Sequence, residues 1–288
     1  MNYSALIQNR KSFREFTDTK VSYELLNEIR EYYRNPAKRL IPEILTQLYF
    51  FGTSTRAALE GAAGYNQFLI GAPQYLVLLS EKHPHAHLNA GFLMEDLVLK
   101  MEELGLDSCW LTFHSSDAVK EALGIDEDLE VAAIVAFGYG KKAVRRLRLN
   151  MRSMSDVDIA AKHRYMEPKC SVSDLVFVET WGNRQDLDRH IGFFDDVLWE
   201  ALYAVSLAPS YLNRQAYAFL LHSGSVSLVS RPDEYTVDID GDLSLGIALL
   251  HFTAVAENWI GKLRWSFDES GDGLRIPDGH KLIATASL

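Results

Sequence analysis

At 288 residues, with hydrophobic residues at 48% and charged residues at 24%, the chain has the composition of a folded protein with a sizeable core, and disorder is excluded as its theme. A formal net charge of −10 argues against an extended nucleic-acid footprint, while a local basic site for one small anion stays compatible with it. Cys109 and Cys170 are the two cysteines, so neither a disulfide framework nor a cysteine zinc site is indicated. The first residues hold no apolar leader and no stretch approaches the ~20 apolar residues that cross a bilayer, so the expectation is a soluble, cytoplasmic protein without a membrane or nucleic-acid partner.

Tyr3 to Asn9 is read as a short helix. Arg10-Lys11-Ser12-Phe13-Arg14-Glu15-Phe16 then breaks the helical pattern and reads as extended chain, with Arg10, Ser12 and Arg14 on one side and Phe13 on the other. Two guanidinium groups and a hydroxyl on one face suit a phosphate-bearing ligand; a solvated basic segment is the alternative. Ser22 caps a helix over Tyr23 to Tyr33, whose Leu25, Leu26, Ile29 and Tyr33 make one apolar stripe. Ile41 to Phe51 is apolar and ambiguous, and Gly52 to Gly64 is either a helix or a cover over a site.

Tyr75 to Leu79 is a short continuous apolar run, as in a strand buried on both faces. In His83-Pro84-His85-Ala86-His87 the proline and the lack of nearby carboxylates favour a turn over a metal site. Leu88 to Leu104 is helical and apolar nearly all round, so it belongs between layers, and Gly105 is its natural stop. A second apolar strand, Val131 to Phe137, ends in Gly138-Tyr139-Gly140 and a basic run that includes Arg146 and Arg148; no third glycine follows at dinucleotide-binding spacing. Residues 151–175 are polar and read as a linker between a first half, 1–150, and a second, 176–288.

The second half repeats the layout with an amphipathic helix Phe194 to Leu207, a strand Tyr217 to Leu221, a long apolar helix Leu243 to Glu257 and closing strands near Leu263 to Phe267 and Lys281 to Ala286, which indicates duplication. Asp238, Asp240 and Asp242 lack the glycine and closing glutamate of a calcium loop, so turn chemistry accounts for them. Between helix and strand lies Ala208-Pro209-Ser210-Tyr211-Leu212-Asn213-Arg214-Gln215. Its amides and hydroxyl either face a heteroaromatic ring edge or satisfy an ordinary turn.

Taken together, Arg10-Lys11-Ser12-Phe13-Arg14, the stretch Leu104-Gly105-Leu106-Asp107-Ser108-Cys109-Trp110-Leu111, the Val131 to Gly138 strand, and Ala208-Pro209-Ser210 with Asn213-Arg214-Gln215 resemble the nitroreductase family. The resemblance implies an α+β fold and an FMN-dependent oxidoreductase that takes hydride from NADH or NADPH and passes it in ping-pong fashion, through flavin N5, to a nitroaromatic, quinone or flavin acceptor. Family members are intertwined homodimers, in which the basic segment of one subunit and the corner of the other converge on one flavin.

Here the first half has the basic segment without the corner, and the second half has the corner without the basic segment. The chain therefore resembles a tandem branch of the family, a fused pseudo-dimer with one FMN, living as a monomer or pairing further. By this resemblance Arg10 and Arg14, with Arg146 or Arg148, hold the FMN phosphate, and Lys11 lies in the same segment. Ser12 meets the ribityl or phosphate end. Pro209, Ser210, Asn213 and Gln215 meet the ring, with Tyr211 as a wall, and the backbone at Leu111 and Thr112 lies by flavin N5, beside a Phe113 where glycine is usual. No side chain is assigned a catalytic role and no metal is expected. Cys109 reads as a packed thiol. The alternatives are a flavoprotein that uses oxygen to fragment flavin, and a non-catalytic binding protein on the same scaffold.

Overall fold

The computed structural model describes residues 1–35, 39–64, 68–141, 147–153, 156–161, 169–184, 195–267, 271 and 273–288, with backbone alone at 147–153, 156–161, 195 and 196. Helix α1 (Tyr3–Asn9) hands over to an extended segment, and α2 (Tyr23–Tyr33) starts where the Ser22 hydroxyl accepts from Leu25 N at 3.4 Å. The extended segment runs beside the first sheet. Phe13 N donates to the Ser108 carbonyl at 2.9 Å, and Thr17 N to the Tyr139 carbonyl at 2.8 Å.

The first sheet has the order β1-β2-β4-β3, from β1 (Thr46–Gly52), β2 (Gln74–Ser80), β3 (Asp107–Leu111) and β4 (Glu130–Gly138), every pair antiparallel. The ambiguous run 41–51 thus resolves into a turn, 41–45, followed by an edge strand from Thr46. Between them lie α3 (Arg56–Leu59), α4 (Ala86–Glu103) and α5 (Ser116–Leu123). Strands β2 and β4 are apolar on both faces because both faces are covered. Leu76, Leu78, Val135 and Phe137 pack with α4, while Tyr75, Val77, Leu79 and Ile134 pack with Phe16, Leu59, Phe113 and Val119 on the other side.

A separate hairpin pairs β5 (Leu147–Ser153) with β6 (Asp156–Ala161), so part of the interval 151–175 is regular structure. The second sheet, β10-β11-β9-β8-β7, comprises β7 (Val176–Val178), β8 (Tyr217–His222), β9 (Ser225–Ser230), β10 (Trp265–Ser266) and β11 (Lys281–Ser287). It is mixed, since β7 runs parallel to β8 and the rest are antiparallel. Its helices are α6 (Val172–Leu175), α7 (Asp195–Ser206) and α8 (Asp238–Ala256).

The two sheets share one plan. The order β8-β9-β11-β10 repeats β1-β2-β4-β3, and a long helix follows the second strand in each half, α4 in one and α8 in the other. Those helices cross in reciprocal contact. A Cβ on Gly91 would lie 2.3 Å from the Leu243 carbonyl oxygen, and one on Gly246 would lie 2.0 Å from that of Leu88. Each glycine therefore lets the facing backbone approach closer than any side chain permits. The expected α+β fold, with antiparallel and mixed sheets and two buried long helices forming an intrachain pseudo-dimer, is the fold observed.

The halves are interlocked as well as stacked. Tyr3 and Ile7 of α1 belong to the same core as Leu202, Phe219, Leu249 and Phe252 of the second half. The window Asp238–Ile260 is long and apolar enough to cross a membrane, yet 83% of it is buried inside the protein, as suits a central core helix.

Candidate active site

Where α1 ends, the seam between the halves holds charge. Arg10 is the C-cap of α1, with φ −55° and ψ 131°, so the chain turns there from helix into the extended segment. Its side chain is only 7% exposed, and Nε lies 3.5 Å from Glu95 Oε1 without a true hydrogen bond. Nη1 is 3.5 Å from the Ser12 hydroxyl oxygen.

Glu95, in the middle of α4, is fully buried. Its Oε2 accepts from Trp110 Nε1 at 2.8 Å, and its Oε1 lies 3.1 Å from His251 Nε2 on α8. His251 Nδ1 lies 2.9 Å from the Ala204 carbonyl, so both ring nitrogens face acceptors. Burial alone pushes the Glu95 carboxyl up. The His251 hydrogen bond, the charges of Arg10 and His251 and the Trp110 N–H together outweigh it and hold the group below its usual range.

Two further cations approach this cluster. The Lys169 ammonium donates to the Ala208 carbonyl at 2.7 Å; burial, helped by Arg10's charge and opposed by Glu95's, pushes its pKa down to about 8. Around Cys109, burial pushes the thiol up while the charges of Arg14 and Arg10 pull the other way. The thiol itself is buried, which suits a packed group. Lys11, Ser12 and Arg14 are exposed. Through Lys169 the basic segment of the first half reaches the corner of the second.

That corner is strongly bent. Leu212, Asn213 and Gln215 have φ of 46°, 58° and 47°, left-handed values that side-chain-bearing residues rarely adopt. Ser210 Oγ accepts from Gln215 N at 2.9 Å, and Tyr211 N donates to Ser244 Oγ on α8 at 3.3 Å. Gln215 is 1% exposed and its amide is committed to the fold. Oε1 accepts from Cys170 N at 2.8 Å, and Nε2 donates to the Ser206 carbonyl at 2.9 Å. For Ser210 and Gln215 the turn-chemistry reading describes what these groups do here, while Pro209 and Asn213 remain half-buried at the rim.

At the outer end of β3, Leu111 is buried and the Thr112 carbonyl accepts from Gly64 N at 2.7 Å. Phe113 pairs with Ala63 and sends its ring into the core, so the aromatic side chain is absorbed by packing. The stretch Gly52 to Gly64 thus forms short helical turns that tie down onto Phe113. Arg146 lies outside the described residues; Arg148 pairs with Ala160 on the hairpin, its side chain outside them. His83 to His85 form the turn into α4, with His85 against the Phe267 ring, and His87 lies in the first turn of the helix.

A family model described as "Putative TM nitroreductase" matches residues 2–170, more than half of the chain. The chain belongs to this family. Nitroreductase membership supports a general oxidoreductase function. Over its whole length the chain resembles a protein from Thermotoga maritima described as a putative nitroreductase, with 19% identity, 100% of this chain and 94% of that one covered, and a TM-score of 0.59. Two Clostridium difficile structures align with about half of it. A nitroreductase family protein from strain 630 has 22% identity, 50% and 87% coverage and a TM-score of 0.41. An FMN-dependent nitroreductase from strain R20291 has 19% identity, 48% and 88% coverage and a TM-score of 0.41. No curated protein matches the chain.

Of the residues that build this candidate site, Glu95, His251, Trp110 and Lys169 were not singled out from sequence. A signal existed for two of them. A carboxylate and an imidazole inside helices that are otherwise apolar all round must be paired to be buried. Nothing local marked Lys169.

Proposed function

We propose that the chain is an FMN-dependent oxidoreductase of the nitroreductase type, which uses NADH or NADPH to reduce a small electron-poor acceptor such as a nitroaromatic, a quinone or a flavin. The observation that carries this reading is the convergence of Arg10 and Lys169 on one buried polar cluster at the seam between the halves, since it joins the basic segment to the corner. One composite site, hence one FMN per chain, follows from halves 1–150 and 176–288 joined through 151–175, in a monomeric pseudo-dimer or a homodimer of it. Two free cysteines suit a reducing cytoplasm.

The residues fit the cofactor at its anionic end. Arg10 Nε is buried and lacks a hydrogen-bond partner, and exposed Arg14, Lys11 and Ser12 stand beside it. Guanidinium, ammonium and hydroxyl donors are the set that a phosphate dianion takes. Arg10, Arg14 and Lys169 would hold the phosphate, with Ser12 and Lys11 at its edge and Arg146 or Arg148 from the basic run. Pro209, Ser210 and Asn213 would line the ring opposite the backbone of Leu111 and Thr112, with Gln215 holding the corner's shape. When bound, FMN supplies the hydride chemistry, and the protein supplies orientation, electrostatics and exclusion of water.

Absorption spectra of the purified protein before and after adding FMN, with flavin released and counted, test the proposal. A ratio near one flavin per chain, bleached by NADH or NADPH, is expected; protein that takes up no FMN refutes it. A second reading, a binding protein on this scaffold, draws on the internal use of Gln215 and Ser210. Stoichiometric flavin with measurable turnover eliminates it.

A further inference from the structure

We infer that Asp240 is the acid that delivers a proton to the electron acceptor, at the junction where the Thr112 to His114 stretch and the Ser210 to Asn213 corner meet the first turn of α8. This rests on the oxidoreductase reading above and adds to it a proton donor and a preference for acceptors whose reduced oxygen must be protonated.

The position is defined from three sides. Ser244, one helical turn along, donates its hydroxyl to the Asp240 carbonyl at 2.7 Å and accepts from Tyr211 N, so the corner is pinned to the turn that carries Asp240. Ile239 packs against both cores of the first half, which seats the same turn on that half. The second of those cores contains Leu111 and Phe113, on either side of Thr112, and the charge of His114 in the same stretch acts on Asp240. Asp240 thus lies between the two segments proposed to hold the flavin ring.

The carboxyl is built as an acid. Asp240 is 8% exposed, and no hydrogen bond reaches its carboxylate among the described residues. Burial disfavours the charged form of a carboxyl, and here it pushes the group up to about 6, with the charge of His114 opposing. About one molecule in ten would then still carry the proton at pH 7, near the optimum for general acid work. Asp238 and Asp242 share its helix, but Asp242 faces His87 at the start of α4.

The chemistry balances for a quinone. When bound, FMN would supply hydride taken from a reduced nicotinamide, which would leave the quinone as a hydroquinone monoanion. The Asp240 O–H bond then breaks as the phenolic O–H bond forms, and water reprotonates the carboxylate.

The test uses FMN-loaded protein and has a readout without turnover. 1,4-Naphthoquinone, neutral at every pH used, is titrated into oxidised protein with no nicotinamide present. Between pH 5 and 7.5 its affinity should fall about five- to tenfold, as a donor to the quinone oxygen becomes a carboxylate. Asp240→Asn should abolish that dependence, and His114→Gln, which removes the facing ionisable group, should keep it. In turnover, the ratio of quinone rate to ferricyanide rate should fall about 100-fold in Asp240→Asn and in Asp240→Ser, because ferricyanide takes an electron and no proton. Variants that retain both the wild-type ratio and the wild-type pH dependence overturn the assignment. If wild-type protein binds no FMN, or its FMN is not reduced by NADH or NADPH, the oxidoreductase reading itself fails and takes this inference with it.

Discussion

Replacing Gly246 by alanine probes the contact on which the two-half architecture depends. The new Cβ would sit 2.0 Å from the Leu88 carbonyl oxygen and 2.8 Å from Phe92 N, whereas ordinary contact begins near 3.4 Å, so α4 and α8 must part by more than 1 Å. Both obstacles are backbone atoms and cannot rotate away. Overpacking costs about 1–3 kcal/mol and belongs here at the upper end, while alanine returns about 1 kcal/mol of helix propensity. The expected net loss is about 2 kcal/mol, read as a urea midpoint lower by roughly 0.7–1 M. Gly241 is the internal control: it lies on the same helix, and its Cβ would meet only the Thr236 methyl group at 3.6 Å. Gly241→Ala should be neutral or slightly stabilising. Because the proposed flavin site straddles the parted helices, Gly246→Ala should also weaken FMN retention. If Gly246→Ala is as benign as Gly241→Ala, the close crossing of α4 and α8 is wrong.

Glu95→Gln leaves Arg10 buried without its counter-charge and should cost about 3–5 kcal/mol in urea denaturation. Glu95's pKa is depressed in the folded state, so its contribution is present above its unfolded value of 4.5 and lost as pH falls through the folded one; the variant should lack that acid limb. Lys169→Met removes a buried ammonium, so at pH 7 the flavin-free chain should melt higher while FMN affinity drops by about 1.5–3 kcal/mol and riboflavin affinity does not. Equal loss for both flavins places Lys169 away from the phosphate. For Asp240 the sign is opposite to Glu95: its pKa is raised, so the folded state is penalised as pH climbs from 3.8 through about 6. Asp240→Asn should match wild type near pH 4 and exceed it by up to about 3 kcal/mol at pH 8, in denaturation series at the two pH values.

What could be read from the sequence divides along a physical line. Tyr23 to Tyr33, Tyr75 to Leu79 and the two long apolar helices were legible because burial on one or both faces imposes a pattern within a dozen residues. The run 41–51 was not, since an edge strand half-covered on both faces shows neither alternation nor a helical period. The site divides the same way. The basic segment and the corner announce themselves by residue type, but whether an amide faces a ligand or the fold depends on partners far away in sequence: Gln215 is claimed by Cys170, 45 residues off. Glu95 and His251 are 156 residues apart, and nothing in either helix names the other as its partner until the crossing of α4 and α8 brings them to 3.1 Å. That pair joins the two long helices, one from each half, through a single buried polar contact. In an isolated first half Glu95 would keep Trp110 and Arg10 but not His251, whereas in the joined chain the same carboxylate also holds α8 against α4, so the polar cluster that gathers the proposed site also links the two halves at the seam.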